Sequence, residues 1–136
     1  MGKGIGMPDT IKLQHFGRVI HEFFGHYPYQ VGSSLKCTLG QAETWRDVDV
    51  RLILPDDEFD ALFGELTRPR CLNLKWNAAC LAFASLGRDM TGLPIDFQVD
   101  RETEANADYG NEPRSGIGIL LAEGVAVSHP AFSGRA

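Results

Sequence analysis

The sequence predicts an α+β fold, an open α/β layer in which a mixed β-sheet carries helices on one face. Three observations predict it. Two segments, Asp47 to Leu54 and Leu93 to Val99, alternate apolar and polar residues with the period of two that sends successive side chains to opposite faces of a sheet. Two others, Asp9 to Gly25 and Leu72 to Leu86, repeat apolar residues near the helical period of 3.6. The order helix, strand, strand, helices, strand fits a sheet with helices packed against it.

Along the chain, Asp9 or Thr10 caps the first helix. Ile11, Leu13, Phe16, Val19, Ile20, Phe23 and Phe24 form its apolar face, and Gly25 stops it. Tyr27 to Gly32 reads as a short strand running into Gly32-Ser33-Ser34, and Leu35 to Arg46 as a loop with room for a helical turn. Pro55 closes the strand from Asp47 to Leu54, and Asp56 opens a helix through Phe59, Leu62 and Phe63. The helix from Leu72 to Leu86 places Leu74, Ala78, Leu81, Ala82 and Leu86 on one face and ends at Gly87. After the strand from Leu93 to Val99, Glu102 to Ala107 reads as a short helix and Asn111 to Gly118 as a loop. Ile117 to Val127 is apolar and fits strand or helix, and the tail from Ser128 is expected to be loose. The 136 residues suit one domain, with a core at about 10–100 and an extension at about 101–136.

Composition narrows the function. With 43% hydrophobic and 23% charged residues the chain is that of a globular protein. Its net charge of -5 weighs against a nucleic-acid module, which usually carries a basic excess. It fits a protein that binds a metal and a small anion. Cys37, Cys71 and Cys80 form no CxxC or Cys/His pattern and read as reduced thiols of a cytoplasmic protein. No apolar run reaches the roughly 18 residues that span a bilayer.

Strand parity supplies the candidate site. Val48, Val50, Leu52 and Leu54 share one face, and Asp47, Asp49 and Arg51 the other. In the later strand Leu93, Ile95, Phe97 and Val99 share a face, opposite Asp96, Gln98 and Asp100. If the strands are neighbours, Asp47, Asp49 and Asp96 converge. Like charges on adjacent strands repel, so such a cluster takes up protons or a cation, and an oxygen-rich cluster suits Mg²⁺. A solvated acidic sheet face would show the same pattern. Upstream, Val31-Gly32-Ser33-Ser34 ends an apolar strand in Gly-Ser. Gly lets the backbone approach a phosphate closely, and the N–H groups and Ser hydroxyls that follow can donate to it.

An apolar residue and Gly-Ser (Val31-Gly32-Ser33), a 13-residue spacer, Asp47-Val48-Asp49-Val50 and the later Ile95-Asp96-Phe97 together resemble the DNA polymerase beta-like nucleotidyltransferase superfamily, in its minimal single-domain form. The resemblance covers about residues 10–100. It implies that Gly32, Ser33 and Ser34 hold phosphates of a nucleoside triphosphate, ATP being the first candidate. It also implies that Asp47, Asp49 and Asp96 bind Mg²⁺, for which Mn²⁺ can substitute, and that Asp96 helps activate a hydroxyl acceptor. Arg51, on the carboxylate face, contacts phosphate or offsets the acidic cluster. The acceptor stays open between a partner protein, a small molecule and a nucleic-acid end, and a homodimer can complete such a site. The alternative is a catalytically silent nucleotide binder or an antitoxin-like partner protein on the same fold.

Other features point elsewhere. His21 and His26 are five apart, about 140° around a helix, and cannot share one zinc as an HExxH pair does. Arg68, Arg70, Lys75 and Arg88 read as solvated charges, Trp45 and Trp76 as packing residues, and Asp100, Glu102 and Glu104 as an exposed acidic run.

Overall fold

Two strands with strict apolar parity determine how the layers stack. The computed structural model describes residues 4–64 and 70–119. Within them lie helices α1 (Met7–Phe24), α2 (Gly32–Thr38), α3 (Asp56–Phe63), α4 (Leu74–Thr91) and α5 (Glu102–Tyr109). The strands are β1 (Tyr29–Val31), β2 (Val48–Leu54), β3 (Ile95–Arg101) and β4 (Ser115–Gly116), and a 3₁₀ turn at Arg70–Leu72 precedes α4. The sheet runs β3-β2-β1-β4. β1 is antiparallel to β2 and β4, and β2 is parallel to β3, so the sheet is mixed and open as the sequence predicts. A parallel pair needs a crossover, and α3 and α4 provide it.

One sheet face carries the core. Val48, Val50, Leu52 and Leu54 of β2 and Ile95, Phe97 and Val99 of β3 are buried against Leu13, Phe16 and Ile20 of α1 and Trp76, Cys80 and Ala84 of α4, with Phe59 and Phe63 of α3 in the same cluster. Phe16 meets Phe97 edge-on at 6.2 Å between ring centroids.

Several boundaries differ from the sequence-based expectation. α1 begins at Met7 behind Gly6, without a side-chain cap; Thr10 bonds back to the Gly6 carbonyl instead of capping. Its face is narrower than predicted, because Ile11 and Phe23 are exposed. Gly32 to Thr38 is a helix, where the sequence reads a Gly-Ser turn followed by the start of a loop with a helical turn. It is too short and polar to show a period, and Ser34, Leu35 and Cys37 bury its inner side. α4 passes through Gly87 and ends at Gly92, which has φ 72°. Gly87 is interior because the Phe16 ring lies where its Cβ would be, at 2.9 Å. The predicted face of α4 is also the wrong one. Leu74 and Leu81 are exposed, whereas Trp76, Cys80, Ala84 and Thr91 turn inward. Asn73 caps the helix by accepting from the Trp76 N–H at 2.8 Å.

The predicted loop from Asn111 to Gly118 contains β4, and Ile117 joins the core with its N–H on the Pro28 carbonyl. The predictions for residues 120–127 and for the tail lie outside the described residues, as does Arg68. Among the described residues no helix is long and apolar enough to cross a membrane. All three cysteines are free thiols.

Candidate carboxylate and arginine site

The face opposite the core carries the charged side chains. Parallel pairing sets Asp49 of β2 beside Asp96 of β3, in register. Arg51, two residues along β2 and thus on the same face, reaches both. Its Nη2 lies 3.8 Å from Asp49 Oδ1 and 3.6 Å from Asp96 Oδ2. Its Nη1 donates to the backbone carbonyls of Val50 and Asp96 at 3.2 and 3.3 Å. The Arg51 side chain is only 16% exposed, against 25% for Asp49 and 44% for Asp96.

Asp49 is the perturbed member. Burial raises its pKa, and the neighbouring Asp96 and Asp47 carboxylates push the same way, while Arg51 opposes them. Asp47 stands one residue before β2, half-exposed, with Arg46 Nε at 3.6 Å. It adds charge near Asp49 but is turned toward Arg46. Among the described residues no three His, Cys, Asp or Glu side chains gather at metal-holding range. Two carboxylates are nevertheless what Mg²⁺ commonly takes from a protein, with phosphate and water completing its shell. The paired Asp49 and Asp96 fit that donor set.

Gly32 opens α2 with φ 74°, a conformation that strains any residue with a Cβ. A Cβ there would meet Asp49 Oδ2 at 2.2 Å. Gly32→Ala is therefore expected to cost about 1–2 kcal/mol in backbone strain and to push the Asp49 carboxylate aside. Denaturant melts and a ligand titration of the same variant check this, with the loss of binding exceeding what the loss of stability explains.

Two cavities meet at Asp49. An open cleft is lined by Ser33, Thr44, Trp45, Arg46 and Asp47. A smaller cavity of about 200 Å³ is lined by Gly32, Lys36, Arg51, Tyr109, Glu112 and Arg114. Ser33 faces the cleft. Ser34, predicted beside it as a phosphate ligand, is buried, and its Oγ accepts from Gln30 Nε2 at 3.0 Å. The hydroxyl is thus held inside the fold.

Asp100 corrects the predicted exposed run. It is 1% exposed on the site face of β3 and accepts from Arg70 Nη1 at 2.9 Å, leaving Oδ2 buried without a partner. Burial raises its pKa against the pull of Arg51 and Arg70. Arg70, predicted solvated, also pairs with Glu104 and lies against the Phe59 and Trp76 rings at 5.3 and 6.0 Å. Trp76 is a packing residue as expected, with its Nε1 donating to the Val99 carbonyl. The two histidines go separate ways: His21 stacks on Tyr27, and His26 meets Glu58 at 2.9 Å.

No protein-family model, curated protein or solved structure matches the chain. The chemistry of the site therefore rests on its own residues. Lys36, Tyr109, Glu112 and Arg114 were not singled out as a set by the sequence. Lys36 alone is a visible basic residue beside the Gly-Ser turn, and only α5 brings the other three over β2.

Proposed function

We propose that the protein is a magnesium-dependent nucleotidyltransferase that moves NMP from a nucleoside triphosphate, ATP first, to a hydroxyl acceptor. One observation carries the reading: Asp49 and Asp96 stand side by side at paired positions of parallel strands, on the face away from the core, with Gly32 packed against Asp49. A bound divalent cation supplies neutralisation of the triphosphate and of the pyrophosphate that leaves. Asp49 and Asp96 would hold it, with Asp47 close enough to add negative potential. Gly32 lets the backbone approach the phosphates, and Ser33 at the cleft mouth donates to them. Asp96, the more exposed carboxylate, is placed to take the proton of the acceptor hydroxyl. The new bond joins the acceptor oxygen to the α-phosphorus as the bond to pyrophosphate breaks.

Incubation with α-labelled ATP and Mg²⁺, scored for pyrophosphate release and for label on an acceptor, tests this. Activity that disappears in Asp49→Ala is the expected result; no nucleotide affinity in the wild-type protein sinks the proposal. A specific observation also favours the alternative, a silent nucleotide binder or antitoxin-like partner: Arg51 already offers both carboxylates a positive charge. That reading expects nucleotide to raise the melting temperature with no turnover. Whether the acceptor is a partner protein, and whether two copies complete the site, is read from the labelled product and from the mass in solution.

A further inference from the structure

Arg51 occupies the position a cation would need, and the way it is held matters. Its contacts with the two carboxylates are long, 3.8 and 3.6 Å, while its hydrogen bonds go to the backbone carbonyls of Val50 and Asp96. This is not the bidentate fork that locks an arginine onto a carboxylate. The guanidinium is tethered loosely to Asp49 and Asp96, yet it is largely buried, so its charge acts on them with little screening by water.

The same side chain lines the cavity of about 200 Å³. Lys36 from α2 and Arg114 from the segment after α5 line it too, so three cationic side chains from separate parts of the chain converge there. This happens in a protein of net charge -5. Glu112 neutralises Lys36 at 3.3 Å, and Arg114 donates to Asn106 Oδ1 at 3.1 Å. Arg51 is the cation of the three that also faces the carboxylate pair. A multiply charged anion entering this cavity gives the guanidinium a partner that competes with Asp49 and Asp96. A divalent cation arriving alone must instead displace it against charge repulsion.

We infer that Arg51 is a built-in counter-cation that makes cation binding conditional on a polyphosphate: the anion draws the guanidinium off Asp49 and Asp96, and the divalent cation enters with it rather than before it. The inference takes its ligand classes from the proposed function and adds the coupling between them.

The test uses the full chain and Mn²⁺ alone, with free Mn²⁺ counted by electron paramagnetic resonance. Arg51→Gln is expected to bind Mn²⁺ at least about tenfold more tightly than wild type, because one repelling charge within 4 Å is removed. Adding Asp96→Asn to that variant is expected to abolish the gain. In metal-free buffer, inorganic tripolyphosphate is expected to raise the wild-type melting temperature and to leave that of Arg51→Gln unchanged. Equal Mn²⁺ affinity in wild type and Arg51→Gln overturns the inference. Should Arg51→Gln fail to fold, the wild-type protein decides by NMR. The Arg51 Nε–H resonance is expected to move with tripolyphosphate and stay sharp with Mn²⁺ alone, and broadening by Mn²⁺ alone overturns the inference. The two readings fail separately. A gain in Mn²⁺ affinity without NMP transfer keeps the gate and removes the transferase, and transfer without that gain does the reverse.

Discussion

Replacing Asp49 with Asn is expected to abolish nucleotide transfer and, at neutral pH, to make the protein more stable. The two effects have one cause. Burial and the carboxylates of Asp96 and Asp47 hold the Asp49 pKa above its ordinary value of 3.8. Between that ordinary value and the raised native one, the native state therefore keeps a proton that the unfolded chain has released. Stability then falls as pH rises from that ordinary value through the raised native one, since the native state binds the more protons over that window. Asn cannot ionise, so its advantage is absent below the window and complete above it. Thermal melts of both proteins from acid to neutral pH measure this; an Asn variant that is less stable at pH 7 refutes it. Transfer should drop by about 10³-fold or more, the scale on which charge stabilisation in a prearranged site acts. Local destabilisation held at a working site is the usual trade between stability and activity.

Arg70→Met is expected to be strongly destabilising. It leaves Asp100, 1% exposed, without the one cation hydrogen-bonded to it among the described residues. Breaking a buried pair from one side costs about 3–5 kcal/mol, a large part of the 5–15 kcal/mol that holds a typical domain together. The loss includes the guanidinium packed against Phe59 and Trp76. The double variant Arg70→Met with Asp100→Leu should recover most of it, because no buried charge is then left alone. Urea unfolding of the single and double variants gives both numbers. A single variant within 1 kcal/mol of wild type would show that Asp100 takes up a proton at no cost. Cys80 nearby is no rescue for reactivity: burial pushes its thiol up to about 11, so it stays protonated and inert.

How much of this was legible depended on the range over which each signal acts. Parity is local, and it placed Val48, Val50, Leu52 and Leu54 inside and Asp49, Arg51 and Asp96 outside without any tertiary information. The helix at Asp56–Phe63 is likewise legible from Pro55, Asp56 and the spacing of Phe59, Leu62 and Phe63. Features that depend on a neighbour were not legible. Gly87 looks like a stop until Phe16 is seen to need the space. Leu74 and Leu81 look like core because they are apolar, yet α4 turns Trp76 inward, where its Nε1–H donates to the Val99 carbonyl. Asp100 shares the parity of Asp96, but only the cover of α5 and the 3₁₀ turn makes it buried. Ser33 lines the cleft while Ser34 is buried because consecutive residues of a helix point about 100° apart, and that helix is too short to read from sequence.

The neighbours Asp49 and Asp96 belong to strands separated by the whole α3–α4 crossover. Until that crossover has docked, they share nothing. A chain with only its local helices formed has no place for a doubly charged ion and its phosphate companion to settle. A ligand of the proposed kind would stabilise, by mass action, only the chain in which those two strands are paired. On the proposed function, occupancy of the site therefore reports that β2 and β3 have paired.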